Sequence, residues 1–147
     1  MGKTQYALEI ETVRVNWLLG SSHLVRGKVD EAEEYLTKGM VLCRSINAIY
    51  LESNILLDLA RLRYDQKKTE EAKSLADEAL LITERCGYVL QGADVNLFLA
   101  QYAVEQEKDK VKAKQYAEEA LKLATCDGPP YYYKVAYEEA ERFLEKL

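Results

Sequence analysis

The side chains that could support metal or redox chemistry are few and far apart in this sequence. It contains one histidine, His23, and three cysteines, Cys43, Cys86 and Cys126. Zinc sites combine three or four such ligands, usually with at least one close-spaced pair, and no such pair is present. We therefore expect no metal site, a structural role for His23, and three reduced, buried thiols that behave as small hydrophobic side chains.

Acidic side chains are the other candidates, since two carboxylates can act as general acid and base. Catalytic carboxylates need burial and a cleft, whereas the adjacent glutamate pairs of this sequence recur on the polar faces of a repeated segment. Gly2-Lys3-Thr4 resembles the end of a phosphate-binding loop but lacks the glycine-rich turn and the strand before it. The sequence therefore predicts a protein that is not an enzyme and needs no cofactor. The adjacent pairs are Glu33-Glu34, Glu70-Glu71, Glu118-Glu119 and Glu138-Glu139.

Composition and charge exclude several classes of partner. The net charge of −5 over 147 residues disfavours binding to nucleic-acid phosphates or to an anionic membrane surface. No uninterrupted apolar run reaches the 18 or so residues of a membrane span, and the N-terminus lacks the order of a signal peptide. We expect a single cytoplasmic domain covering residues 1–147, with protein or peptide as its partner.

One short segment occurs three times and indicates a repeat. DEAEEYLTKG at 30–39 returns as EEAKSLADEA at 70–79 and as VKAKQYAEEA at 111–120. The period is 40 residues for the first two copies, and the third arrives one residue late, so the turn EQEKDKVK is interpreted as having gained a residue. Internal repeats of this length are typical of stacked helical hairpins.

Apolar residues within each repeat are spaced by three and four, as in amphipathic helices. Pairs of these helices predict three hairpins at about 4–44, 47–85 and 88–125, followed by a capping helix at 131–146. Asp127-Gly128-Pro129-Pro130 is the firmest predicted stop, since glycine favours helix ends and proline favours helix starts. The predicted helices are 4–26, 29–44, 47–66, 69–85, 88–107, 111–125 and 131–146.

Small residues recur where the two helices of a hairpin must touch. A side chain larger than a methyl group at these positions would push the helix axes beyond their usual separation of about 8–10 Å. The repeated segment is therefore predicted to form the inner seam of each hairpin. On the first helices these residues are Gly20, Ala60 and Ala100, and on the second helices they are Ala32, Ala72, Ala113, Gly39, Ala79 and Ala120.

These features resemble the tetratricopeptide repeat family over nearly the whole chain. Leu19-Gly20, Leu59-Ala60 and Leu99-Ala100 match its Leu-Gly pair. Ala32, Ala72 and Ala113 match its small residue on the second helix. The sequence departs from the family in its longer period, in lacking the closing proline, and at the usual aromatic positions. The longer form is similar to arrays at the C-terminus of bacterial signalling ATPases. The resemblance implies an all-α, right-handed superhelix that acts as a binding scaffold within a signalling protein.

Tetratricopeptide arrays typically bind partners on the concave surface lined by their first helices. The resemblance therefore implies a binding face on one side of each first helix, with Trp17, Arg61, Tyr64 and Tyr137 as the strongest candidates because aromatic and arginine side chains dominate interface energies. Packing between helices is the alternative for Trp17, Leu57 and Leu97. The predicted face comprises Arg14, Trp17, Ser21, Asn54, Arg61, Tyr64, Asp94, Gln101, Lys134, Tyr137 and Glu141.

The N-terminal helix has no preceding hairpin to cover it in this sequence. Tyr6, Ile10 and Val13 are expected to form an apolar surface there. Either this surface is covered by further repeats of a longer array, or the chain forms a homo-oligomer through it. Two alternatives to a plain binding scaffold stay open: a sensor domain gated by a peptide ligand, and an architectural module that self-associates.

Overall fold

The computed structural model describes residues 2–128 and 131–147, without the side chains of residues 2 and 3. Over these residues the chain forms seven α-helices and no strand, which confirms the all-α prediction. Pro129 and Pro130, part of the predicted stop, lie outside the described residues. The helices are α1 (Gly2–Val25), α2 (Val29–Ser45), α3 (Ile49–Asp65), α4 (Thr69–Cys86), α5 (Val89–Tyr102), α6 (Lys110–Thr125) and α7 (Lys134–Lys146).

The chain divides into two compact units, which we call unit 1 (Met1–Ala79) and unit 2 (Leu80–Leu147). In unit 1, α2 packs against both α1 and α3, and α1 also contacts α3. In unit 2, α6 packs against both α5 and α7, and α5 also contacts α7. Each unit thus contains an antiparallel pair and a following helix, while the organisation of residues 1–147 as one domain stays a prediction.

The first three helices end in the same type of turn. After α1, Gly27 has a φ of +76°, its N–H bonds to the carbonyl of Leu24, and the N–H of Lys28 bonds to that of His23. This Schellman pattern satisfies carbonyl groups that a helix end otherwise leaves without partners. The same pair of bonds follows α2 and α3, where Asn47 and Lys67 adopt positive φ without being glycine.

The extra residue of the third repeat is accommodated inside a helix end. Regular helix was predicted through residue 107, but the segment Ala103–Glu107 after α5 is a π-helical turn. The N–H of Asp109 then bonds to the carbonyl of Ala103 at 3.0 Å, and the Asp109 side chain caps α6 by accepting from the Lys112 N–H at 2.9 Å. A π turn holds one residue more than the α-helical turn it replaces. As a result, α6 begins one residue later than the 40-residue period predicts, and its alanines still face the core.

Close helix contact in unit 1 depends on glycine. A Cβ atom at Gly20 would lie 2.6 Å from Cγ of Leu36, a side chain that is completely buried. Gly39 faces α1 and α3 with more space, since a Cβ there would lie 3.4 Å from both Asn16 Cβ and Ile55 Cδ1. The predicted seam therefore includes Gly20 and Gly39, and Leu36 is the residue of α2 that a side chain at Gly20 would meet first.

Alanine takes this role in unit 2. Four alanines on α6 recur at spacings of four, three and four and are fully buried. They form one stripe along α6, and two of them join residues of both α5 and α7 in a single core that is built mainly from small residues. These alanines are Ala113, Ala117, Ala120 and Ala124.

The three cysteines differ in their surroundings. Cys43 is fully buried, its thiol lies 3.1 Å from the carbonyl of Ala48 as a hydrogen-bond donor, and burial followed by the nearby Glu52 carboxylate raises its pKa to about 11. Cys86 and Cys126 are exposed, so the expectation that all three thiols are buried was wrong for these two. Both lie at helix ends, where the last turn no longer packs against the core.

Two glycine substitutions should differ in their effect on stability. Gly20→Ala is expected to lower the free energy of unfolding by about 1–2 kcal/mol, because Leu36 must move and the cost of overpacking exceeds the gain in helix propensity. Gly39→Ala, the matched control, should leave stability unchanged or raise it by up to about 1 kcal/mol. Urea unfolding followed by circular dichroism measures both, and an equal effect of the two substitutions would contradict the packing described.

Thiol labelling should separate the cysteines. At pH 8 a thiol with a pKa near 11 is about one part in a thousand thiolate, and the thiolate is the reactive form. Iodoacetamide should therefore modify Cys86 and Cys126 in the folded protein and Cys43 only after denaturation. Peptide mapping by mass spectrometry identifies the sites, and early modification of Cys43 would contradict its burial.

Candidate functional site

A cleft of about 350 Å³ in unit 2 is lined in part by a predicted binding residue. Its first wall is formed by Leu97 and Gln101 of α5 and by Val104 of the π turn. These three positions lie four and three residues apart, so they share one face of the helix. Gln101 was predicted as a binding residue, and its Nε2 donates a hydrogen bond to Glu105 Oε2 at 2.6 Å.

The second wall belongs to the C-terminal half of α7. Glu139, Arg142, Phe143 and Lys146 follow each other at spacings of three, one and three, which places them on one side of that helix, and Leu147 closes the end. Phe143 and the leucine and valine side chains supply an apolar surface. The two cations and Glu139 stand at its edge.

The charges of this cleft favour an acidic ligand group. Within the part of the chain that the structure describes, neither Arg142 nor Lys146 takes part in an ion pair. An arginine can bind a carboxylate through two parallel hydrogen bonds. The cleft can thus combine an apolar contact with recognition of a carboxylate, while Glu139 would disfavour a highly acidic ligand.

The predicted residues of α7 take other positions. Tyr137 packs against the core of unit 2 and meets the Tyr132 ring edge-on at 5.3 Å between centroids. Lys134 and Glu141 are exposed, and Lys134 Nζ lies 4.0 Å from Glu138. None of these three lines the cleft. The reason is that Ala136 and Ala140 face the core, which turns Arg142 and Phe143 toward α5.

Asp94 was also predicted as a binding residue and has a structural contact. Its two carboxylate oxygens accept from the Tyr133 hydroxyl at 3.2 and 3.1 Å. This bond joins α5 to the residue just before α7, and the N–H of Tyr133 bonds in addition to the carbonyl of Ala124. The approach of α7 to α5, and therefore the width of the cleft, depends on these contacts.

In unit 1, Trp17 and Arg61 meet on a shared carboxylate. Trp17 Nε1 donates to Asp58 Oδ2 at 2.7 Å, and Arg61 Nη1 donates to Asp58 Oδ1 at 3.0 Å. Only 4% of Asp58 is exposed, and a buried carboxylate needs such donors to offset the loss of water. Trp17 is half-buried, so its indole clamps α1 to α3 while part of its ring stays accessible.

The other predicted residues of unit 1 make local contacts. Arg14 Nη1 lies 2.7 Å from Glu11 on the same helix, and Asn54 Nδ2 lies 3.5 Å from the carbonyl of Tyr50. Ser21 and Tyr64 are half-buried. The packing alternative holds for Leu57 and Leu97, which are 5% and 8% exposed. Leu97 nevertheless contributes an edge to the cleft.

Part of the acidic pattern serves packing. Arg63 of α3 bonds to Glu33 Oε1 of α2 at 2.7 Å and lies 3.4 Å from Glu71 Oε2 in the first turn of α4. The Arg63 hydrogen bond lowers the pKa of the Glu33 carboxyl, against the effect of its partial burial. Two of the paired glutamates therefore link successive helices. Among the described residues no His, Cys, Asp and Glu side chains cluster in a group able to hold a metal ion.

The apolar surface of α1 lies on a different side than predicted. Val13 is fully buried against the rest of unit 1, Ile10 is partly buried and Tyr6 is 48% exposed. The prediction was wrong for Val13, because residues 13, 20 and 24 form the inner face of α1. The exposed apolar side chains lie opposite: Leu8, Val15, Leu18, Leu19 and Val25.

The sequence contained a signal for some of the residues that were missed. Asp58 is a charged residue at a position that holds Leu18 and Phe98 in the other two hairpins, and such an exception indicates a specific partner. Arg142, Phe143 and Lys146 had no comparable signal, since their position depends on how α7 is rotated. None of the described helices combines the length and the apolar character needed to cross a membrane.

Loss of the indole hydrogen bond should destabilise unit 1. Trp17→Phe keeps an aromatic ring but leaves the buried Asp58 with one donor fewer, so we expect a loss of about 1.5–3 kcal/mol in the free energy of unfolding. Arg61→Gln removes a partly exposed cation from the same carboxylate and should cost less, about 1 kcal/mol or below. Urea unfolding measures both, and an equal or larger loss for Arg61→Gln would contradict this ranking.

Comparison of the chain with protein-family models, with curated proteins and with solved structures found no match. The candidate sites therefore depend on geometry and chemistry alone. The relationship to tetratricopeptide repeats stays a prediction from the residue pattern.

Proposed function

We propose that the chain is a non-catalytic binding module that captures a peptide segment in the cleft between α5 and α7. The observation that carries this proposal is that apolar side chains line both walls of the cleft, with the cations Arg142 and Lys146 of α7 beside them. A peptide with an apolar residue followed by a carboxylate fits it. The apolar group would contact Leu97, Val104 and Phe143, and the carboxylate would bind Arg142 and Lys146.

The repeated seam supports a stacked-hairpin architecture for this module. We propose that the hairpins form a right-handed superhelix of the tetratricopeptide type, with the long period of about 40 residues seen in the sequence. Such a scaffold holds its binding side chains on rigid helices, so little conformational entropy is lost when a peptide binds. By the same resemblance we place it in a larger cytoplasmic signalling protein.

The π turn adds a local argument for the cleft. Val104 belongs to both the π turn and the cleft wall, and π turns are frequent at functional sites because they redirect a few side chains without breaking the helix. Here the turn sets the position of the wall relative to α7. The cleft is thus formed where the repeat departs from its regular period.

Peptide display against the immobilised protein tests the proposal. We expect selected sequences to carry an apolar residue next to an acidic one, and Arg142→Glu/Lys146→Glu to weaken their binding by about 10-fold or more, since two attractive charges become repulsive. Fluorescence anisotropy with a labelled selected peptide measures the affinity. Amide chemical shifts should move at residues 97–104 and 139–146.

A matched double variant controls for net charge. Arg85→Glu/Lys122→Glu changes the charge equally at two exposed positions of unit 2 outside the cleft. It should bind the peptide with the affinity of the unaltered protein. Equal weakening by both double variants, or failure to select any peptide, would refute the cleft as the binding site.

A further inference from the structure

The exposed apolar face of α1 has a regular spacing. Positions 8, 11, 15, 18, 22 and 25 follow one another at intervals of three, four, three, four and three, which is the spacing of the contact positions in a coiled coil. Leu8, Val15, Leu18 and Val25 are 60%, 52%, 57% and 85% exposed. Glu11 and Ser22, both exposed, occupy the two remaining positions. The seam runs along about 27 Å of helix.

The six seam positions are arranged symmetrically about the centre of the seam. The position numbers pair to a constant sum, 8 with 25, 11 with 22, and 15 with 18. Two copies of α1 placed antiparallel about a two-fold axis would therefore set Leu8 against Val25 of the other copy and Val15 against Leu18. An isologous interface needs a surface that is complementary to itself in this way.

The polar side chains of the seam favour the antiparallel direction. Glu11 is the acidic side chain among the six seam positions, and Arg14 on the same helix lies 2.7 Å from it. Antiparallel pairing places Glu11 opposite Ser22 of the other copy, a hydrogen-bond donor. A parallel pair in register would place the two Glu11 carboxylates next to each other.

The corresponding face of α3 differs from the exposed face of α1, which indicates that the partner of α1 is not another hairpin of the repeat. Val15 and Leu19 correspond by the 40-residue period to Ile55 and Leu59, which are 0% and 9% exposed within the chain where α2 packs on α3. A helix that covered α1 in the same way would also cover residues 11 and 22. At the corresponding places α3 has buried leucines, Leu51 and Leu62, whereas α1 has a glutamate and a serine.

We propose that α1 mediates a two-fold symmetric homodimer through an antiparallel seam centred between Val15 and Leu18. The seam lies opposite the inner face of α1 that contains Val13, Gly20 and Leu24, so pairing leaves the packing of unit 1 intact. Its occupant is a second copy of the chain. The interface is short compared with stable dimer interfaces, so assembly depends on protein concentration.

Sedimentation velocity over a concentration series tests the dimer. From about 10 µM to about 1 mM, the range of weak association, the mean mass should rise from 16.8 kDa toward twice that value. Val15→Glu places like charges at the centre of the seam and should raise the dissociation constant at least about 10-fold. Circular dichroism of the variant confirms that it folds.

Val41→Glu is the matched control, since Val41 is 67% exposed on α2 and lies outside the seam. It should assemble like the unaltered protein. A monomer at every concentration, or equal assembly of Val15→Glu and Val41→Glu, would overturn the proposal. Because both readouts are independent of peptide binding, failure here leaves the function proposed for the cleft untouched.

Cysteine cross-linking tests the direction of the pair. In a protein with Cys86→Ser and Cys126→Ser, a mixture of Leu8→Cys and Val25→Cys chains should form a disulfide-linked dimer under mild oxidation. Leu8→Cys alone should not, because its two copies would lie near opposite ends of the seam. Cross-linking of Leu8→Cys with itself, or no cross-link in the mixture, would overturn the antiparallel arrangement.

Discussion

The close approach of helix backbones is the constraint on which this structure depends. Gly20 leaves space for Leu36 in unit 1, and a stripe of four buried alanines on α6 lets α5 and α7 pack closely against one face of that helix in unit 2. Small residues release little hydrophobic free energy by themselves. Their contribution is that larger neighbours such as Leu36 and Leu97 come within contact distance across the seam. The cleft exists because α7 is held near α5 by this means.

Buried polar side chains within each unit lie next to their hydrogen-bond partners. The buried Asp58 lies between an indole and a guanidinium, and Asp94 receives the hydroxyl of Tyr133. Among the described residues no buried side-chain nitrogen or oxygen lacks a hydrogen-bond partner. These bonds contribute less to the total stability than apolar burial, but they fix which helix faces meet. Trp17 thus joins α1 to α3 in unit 1, which was the packing alternative, and Asp94 joins α5 to the residue before α7 in unit 2, where the sequence had suggested a partner contact.

The repeat predicted most of the helices, since apolar spacing, polar turns and small residues all agree along the chain. The helix bounds mostly agree within two residues, except where Ala103–Glu107 is π-helical and where α7 begins at Lys134. Rotation of a helix about its axis was harder to predict. The repeat identifies equivalent positions, but equivalent residues face different surroundings within the described residues, since α2 packs on the side of α3 that corresponds to the exposed side of α1. Val15 and Ile55 share a column, and yet one is exposed and the other buried.

The π turn after α5 shows how this architecture tolerates a change in chain length. An added residue would normally rotate everything that follows by about 100° around the helix. Here the helix end absorbs it, and the next helix keeps its alanines inward. Insertions and deletions of one residue at these joints are therefore a route by which gene duplicates can drift apart in length while their descendants still stack.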